Sequence, residues 1–97
     1  MYLSVILPYY KKKKFIKETL NSIINQSFKK HELIIIYDQS DKTDISYIKK
    51  ILTKKIKYKI IINNKNLGVG KSRNIGIKYS KSPYIAFCDA DDIWHKN

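Results

Sequence analysis

The chain has one cysteine among its 97 residues, so no internal disulfide can form, which fits a reducing compartment. With no histidine near it in sequence, Cys88 reads as a small buried strand residue rather than a catalytic thiol. Arginine is equally scarce: Arg73 is the only one, and lysine makes up the rest of the 20 basic side chains. Proteins that read base sequence lean on arginine forks, so specific nucleic-acid recognition is disfavoured. No apolar run approaches the ~20 residues of a membrane-spanning helix. The apolar start, residues 1–10, has no basic leader, is short and is interrupted by Pro8, so it does not read as a signal peptide. These absences predict a cytoplasmic protein. Acidic residues number 8, and the formal net charge of +12 points to an anionic partner such as a nucleotide, a lipid headgroup or nucleic acid. Peripheral contact with the anionic inner face of a membrane stays open. The lysine run at 11–14 reads as a solvated loop or helix start.

An apolar share of 43% is ordinary for a globular domain, and its distribution is regular. Residues 33–36 are a continuous apolar run of strand length, residues 3–7, apolar but for Ser4, and 58–62, apolar but for Lys59, read as two more strands, and Tyr84-Ile85-Ala86-Phe87-Cys88 is a fourth that reads as a buried strand. Between them, Phe15, Ile16, Leu20, Ile23 and Ile24 fall on one helical stripe. Ile45, Ile48, Ile51 and Leu52 fall on another, with Asp44 as its expected N-cap. Residues 71–79 read as a third helix. Strands alternating with helices predict a three-layer α/β/α fold with a mainly parallel sheet. Right-handed crossovers then bring every strand's carboxyl end to one rim.

That rim collects chemistry scattered along the chain. Pro8, Tyr9 and Tyr10 follow the first strand, Asp38 the second and residues 66–70 the third. Asp89, Asp91 and Asp92 follow the fourth, with small Ala90 between the first two. Carboxylates so close repel one another unless a cation or proton joins them. Mg2+ or Mn2+ suits such oxygens and shares them with substrate phosphates. Asp38 suits either a hydrogen bond to a base or ribose or a plain turn. Gly68 and Gly70 allow close backbone approach ahead of a helix start that favours anions, or make an ordinary tight turn. Gly76 inside a helix costs about 1 kcal/mol relative to alanine, which a close helix–sheet contact would justify. Arg73, one turn into the helix, either reaches the rim or is a surface residue.

Five segments together resemble the N-terminal half of family 2 glycosyltransferases with the GT-A fold. They are Ser4-Val5-Ile6-Leu7-Pro8-Tyr9-Tyr10; Ser22-Ile23 with Gln26-Ser27-Phe28; Glu32 to Asp38; Asn66-Leu67-Gly68 with Arg73-Asn74-Ile75-Gly76; and Tyr84 to Trp94. The resemblance covers nearly the whole chain and implies that residues 1–97 are the nucleotide-sugar-binding part of a longer glycosyltransferase domain. It implies a nucleotide-sugar donor, most often a UDP-sugar. Pro8, Tyr9, Tyr10, Asp38, Gly68, Arg73 and Asp89 would hold the nucleotide. Asp91 with Asp89 would hold Mn2+ or Mg2+, and Asp92 would face the donor sugar. The acceptor would be a carbohydrate or lipid-linked hydroxyl in cell-surface polysaccharide or lipo-oligosaccharide synthesis, with the inverting stereochemistry usual in the family. No catalytic base is expected in this chain; the resemblance places it downstream.

The chain departs from the family pattern at Lys11, where asparagine is frequent, and at Gln39-Ser40, where Asp-Gly-Ser is usual after Asp38. A nucleotidyltransferase would need a glycine- and lysine-rich phosphate loop directly after the first strand, and residues 11–14 supply no glycine. A non-enzymatic basic module would not need carboxylates at the rim. Four strands alone would leave an exposed sheet edge, which a homo-oligomer could cover.

Overall fold

The computed structural model describes residues 3–26 and 31–92. Ser27, Phe28, Ile93 and Trp94, part of the resemblance, lie outside the described residues. Seven elements alternate as expected: β1 (Leu3–Tyr9), α1 (Lys13–Ile24), β2 (His31–Tyr37), α2 (Ile45–Leu52), β3 (Lys57–Ile62), α3 (Val69–Tyr79) and β4 (Tyr84–Phe87). The sheet has the order β3-β2-β1-β4, and all three pairings are parallel. The first two crossovers move one way along the sheet and the third returns past β1 to the opposite edge. With one hand of crossover, that reversal puts α3 on the face opposite α1 and α2. The result is the expected three-layer α/β/α arrangement.

Side-chain alternation along the two central strands divides the core between those faces. Val5, Leu7 and Tyr9 of β1, with Leu33, Ile35 and Tyr37 of β2, meet Ile16, Leu20 and Ile23 of α1 and Ile48 and Leu52 of α2. Ile6, Ile34 and Ile36 face the other way, against Ile61 and Ile75. β2 is buried along its whole length, as a continuous apolar run requires.

β4 is not the buried strand its composition suggests. Tyr84, Ile85 and Phe87 are 69%, 38% and 45% exposed. β4 pairs only with β1 among the described residues, so its outer edge is uncovered. Asp44 also departs from expectation. It occupies the N-cap position of α2, but its side chain makes no capping bond and instead accepts the Tyr9 hydroxyl at 2.7 Å.

Gly76 is explained by packing. A Cβ there would overlap Ile6 Cγ2, with Ile6 Cγ1 and Cδ1 both at 3.1 Å. Ile6 is fully buried on a central strand and branched at Cβ, so it cannot swing away. Gly76→Ala should therefore destabilise the fold by about 1–3 kcal/mol despite the better helix propensity of alanine. Thermal unfolding followed by circular dichroism should show Tm lowered by roughly 5 °C or more; an unchanged or raised Tm would contradict the contact.

Candidate functional site

The crossovers diverge between β1 and β4, and in doubly wound sheets the crevice at the carboxyl ends of such strands is where ligands bind. A cavity of about 370 Å3 opens there. Of the residues expected at the site, Pro8, Tyr10, Asp38, Gly68, Arg73, Asp89 and Asp91 line it. Lys12, Asn66, Val69 and Ala90 complete the lining.

Two expected residues do not line it. Tyr9 is fully buried on the α1/α2 face, stacked on Tyr37 with ring centroids 5.4 Å apart and planes 10° apart. The two tyrosines are register partners on β1 and β2, and strand alternation sends both away from the crevice. Burial, followed by the bond to Asp44 and its charge, pushes the Tyr9 hydroxyl far above its ordinary pKa, so it acts as a fixed hydrogen-bond donor in the core. Asp92 is exposed just beyond the lining and closes a turn, its N–H donating to the Asp89 carbonyl at 3.0 Å.

The segment that carries Asp89 and Asp91 is held at several points. The Cys88 N–H donates to the Ile6 carbonyl at 3.0 Å, extending the β1–β4 ladder by one residue. The Ala90 methyl packs into the core, and its carbonyl accepts the Thr19 hydroxyl at 2.8 Å. A small residue is needed at 90 so that the chain can dip against α1. The carboxylates on either side then line the cavity.

Each of these carboxylates meets a cation. Arg73 Nη2 lies 3.1 Å from Asp89 Oδ1, and its guanidinium lies over the Phe87 ring at 5.4 Å. Lys12 Nζ lies 3.4 Å from Asp91 Oδ2. Both pairs are close to half exposed, so each contributes at most about 1 kcal/mol to stability. Arg73 Nε is buried without a hydrogen-bond partner among the described residues, an unused donor in a side chain that lines the cavity.

Asp38 is the most constrained of the lining carboxylates. It is 2% exposed. Oδ1 accepts the Leu67 N–H at 2.7 Å and the Asn63 amide at 2.8 Å, and Oδ2 accepts the Gly68 N–H at 3.0 Å. Gly68, at φ +95°, is the N-cap of α3. That φ favours glycine, and two consecutive N–H groups, of Leu67 and Gly68, meet one carboxylate at the helix start. Asp38 thus secures the loop that forms one wall of the cavity.

A divalent ion finds few protein ligands here. No group of three or more histidine, cysteine or acidic side chains able to hold a metal occurs among the described residues. Asp89 and Asp91 supply carboxylate oxygens on one turn, which suits Mg2+ or Mn2+ completing its shell with ligand phosphates and water rather than a site built from protein alone.

Cys88 adjoins this turn as a free, buried thiol. Burial first, then the charges of Asp92, Asp89 and Asp91, push its thiol up to about 12. A raised thiol pKa stabilises the fold below the ordinary value of 9.0, and that contribution is lost as pH rises towards 12. Native protein at pH 8 should therefore resist iodoacetamide and become labelled when unfolded in urea; rapid labelling of the native state would refute this burial.

Fold and crevice together define the class, a doubly wound α/β domain with paired carboxylates at its ligand edge. A model of glycosyl transferase family 2 matches residues 4–97, and the chain belongs to that family. It is 40% identical over 90 residues to an uncharacterized glycosyltransferase of Haemophilus influenzae, covering 93% of this chain and 28% of that protein. It is 31% identical over 94 residues to the Escherichia coli UDP-Glc:alpha-D-GlcNAc-diphosphoundecaprenol beta-1,3-glucosyltransferase WfgD, covering 97% and 36%. Among solved structures, S. aureus TarS 1-349 in complex with UDP superposes with a TM-score of 0.85 at 33% identity, covering 96% of this chain and 28% of that one. TarS 1-349 has also been solved with UDP-GlcNAc. The chain thus spans roughly a third of the length of these relatives.

Proposed function

We propose that residues 1–97 form the nucleotide-sugar-binding part of a glycosyltransferase that uses a UDP-sugar. Transfer would go, with inversion, to a hydroxyl of a carbohydrate or lipid-linked acceptor in cell-surface polysaccharide or lipo-oligosaccharide synthesis. The observation that carries this reading is the cavity between β1 and β4, where Asp89 and Asp91 stand beside Arg73, whose Nε has no partner among the described residues. The UDP and UDP-GlcNAc complexes of TarS, and the UDP-glucose and diphosphoundecaprenol in WfgD's name, support the donor and acceptor classes.

Pro8 and Tyr10 would lie against the base, and Asp38, besides holding its loop, has acceptor capacity left for a base N–H. Gly68 allows close approach of the backbone, Asp89 would contact the ribose and Asp92 the donor sugar. Arg73 would give its Nε–H to a phosphate oxygen. Mn2+ or Mg2+ at Asp91 and Asp89 would neutralise charge on the departing nucleoside diphosphate. Among the described residues the lining holds three carboxylates against two cations, a fixed charge that alone disfavours a diphosphate. The base that activates the acceptor hydroxyl is expected outside residues 1–97.

No helix among the described residues is long and apolar enough to cross a membrane. A cytoplasmic location with lysine-mediated contact to an anionic membrane surface is part of the proposal. Calorimetry of the folded chain with UDP, with and without Mn2+, tests the donor site: metal-dependent one-to-one binding is expected. Absence of UDP binding at millimolar Mn2+ would overturn it.

A further inference from the structure

The lysine run at 11–14 does not behave as one solvated patch. Among the described residues Lys12 is the only lysine that lines the cavity, and its ammonium stands on Asp91, the carboxylate read above as a metal ligand. We propose that Lys12 is a built-in cation of the site, holding Asp91 in the free protein and passing to the diphosphate when a divalent ion takes Asp91. This rests on the nucleotide reading above and extends it with a residue that reading does not need.

The segment that presents Lys12 is fixed. Lys11 adopts φ +50°, in the left-handed region, and its N–H donates to Gln39 Oε1 at 2.7 Å. Gln39 is itself buried, and its amide nitrogen donates to the Asp41 carbonyl at 2.9 Å and the Tyr37 hydroxyl at 3.2 Å. The Lys12 carbonyl then accepts the Phe15 and Ile16 N–H groups at 3.0 and 2.9 Å, which starts α1. A tight turn anchored by a buried amide therefore sets Lys12 on the cavity side, and the Phe15 ring supports its ammonium at 5.9 Å. The pair with Asp91 is weak because both partners are about 40% exposed. A weak pair suits exchange: a divalent ion displaces the ammonium at little cost, and the freed charge is then within the cavity that receives the phosphates. An ammonium is a compact, flexible point charge, suited to moving between a carboxylate and a phosphate.

The test compares wild type with Lys12→Met, which keeps an apolar stem of similar length, and Lys12→Arg, which keeps the charge. Mn2+ alone is titrated by electron paramagnetic resonance, and UDP at saturating Mn2+ by calorimetry. Lys12→Met should tighten binding of Mn2+ alone roughly threefold to fivefold, the scale of an exposed ion pair. It should weaken UDP about tenfold while leaving uridine unchanged, since only the diphosphate contact is lost. Lys12→Arg should stay close to wild type for UDP. These opposite signs separate the exchange from a structural role, which would weaken both ligands or neither. Unchanged or weakened Mn2+ binding in Lys12→Met overturns the proposal, and so does unchanged UDP binding. Failure of wild type to bind UDP at all would instead count against the nucleotide reading, with the Mn2+ titration still deciding whether Lys12 competes for Asp91.

Discussion

Asp38→Ala should destabilise the chain by about 3–5 kcal/mol, a large fraction of the stability of a domain this small. The carboxylate is buried and accepts three hydrogen bonds, two of them from consecutive backbone N–H groups at the start of α3. Hydrogen bonds to a charged acceptor contribute roughly twice as much as neutral ones. Truncation leaves the N–H groups of Leu67 and Gly68 and the amide of Asn63 without their acceptor at one step. Asn63 also donates to Ser72 Oγ at 3.2 Å, so the disturbance extends into α3. Asp38→Asn should be intermediate. It keeps one oxygen for Leu67 and Asn63 but turns an NH2 group towards the Gly68 N–H. Urea unfolding followed by circular dichroism gives the comparison; an alanine variant within 1 kcal/mol of wild type would show that the loop does not depend on this carboxylate. In the variants that fold, the wall that includes Asn66, Gly68 and Val69 loses its anchor, so weaker nucleotide binding should accompany the lost stability.

Much of this arrangement is legible in the sequence because it follows from periodicity. Continuous apolar runs alternating with helical stripes specify parallel strands and crossovers, and these bring Pro8, Tyr10, Asp38, Gly68, Arg73, Asp89 and Asp91 to one crevice. The misreadings have one origin, which is that local patterns do not say what stands opposite. Tyr84-Ile85-Ala86-Phe87 looks like a buried strand, but a strand's place in the sheet is set by the direction of the crossover before it, and β4 falls at the edge. Tyr9 looks equivalent to Tyr10 until alternation buries it on the α1/α2 face, away from the crevice. Asp44 looks like a helix cap, yet the Tyr9 hydroxyl, 35 residues away in sequence, claims its carboxylate. The three donors to Asp38 lie 25–30 residues downstream, so its structural role has no local signature. Lys12 is hidden for a different reason. Four consecutive lysines look alike in composition, and only the start of α1 after Lys12 separates the one at the crevice from its neighbours.

Asp91→Asn should abolish the contribution of metal to nucleotide binding while leaving the fold intact. Asp91 is exposed and its ion pair with Lys12 is weak, so stability should change by less than about 1 kcal/mol. The effect on binding follows from charge. Among the described residues three carboxylates and two cations line the cavity, and a diphosphate brought to it alone adds more negative charge without compensation. With a divalent ion the balance reverses, provided that a carboxylate is there to hold the ion. An asparagine of the same shape has a neutral oxygen, which is a far poorer ligand for a hard cation. UDP affinity at saturating Mn2+ should therefore fall by about a hundredfold or more, since losing even a group that only supports a metal ligand costs 10–100-fold. Without metal the sign reverses. Removing one negative charge and freeing Lys12 should leave UDP affinity equal to or somewhat above that of wild type. Calorimetry of both proteins with and without Mn2+ gives the four values needed. If Asp91→Asn kept the Mn2+-dependent gain in UDP affinity, Asp91 would not be a metal ligand, and the role of this turn in nucleotide binding would have to rest on Asp89 and Arg73 alone.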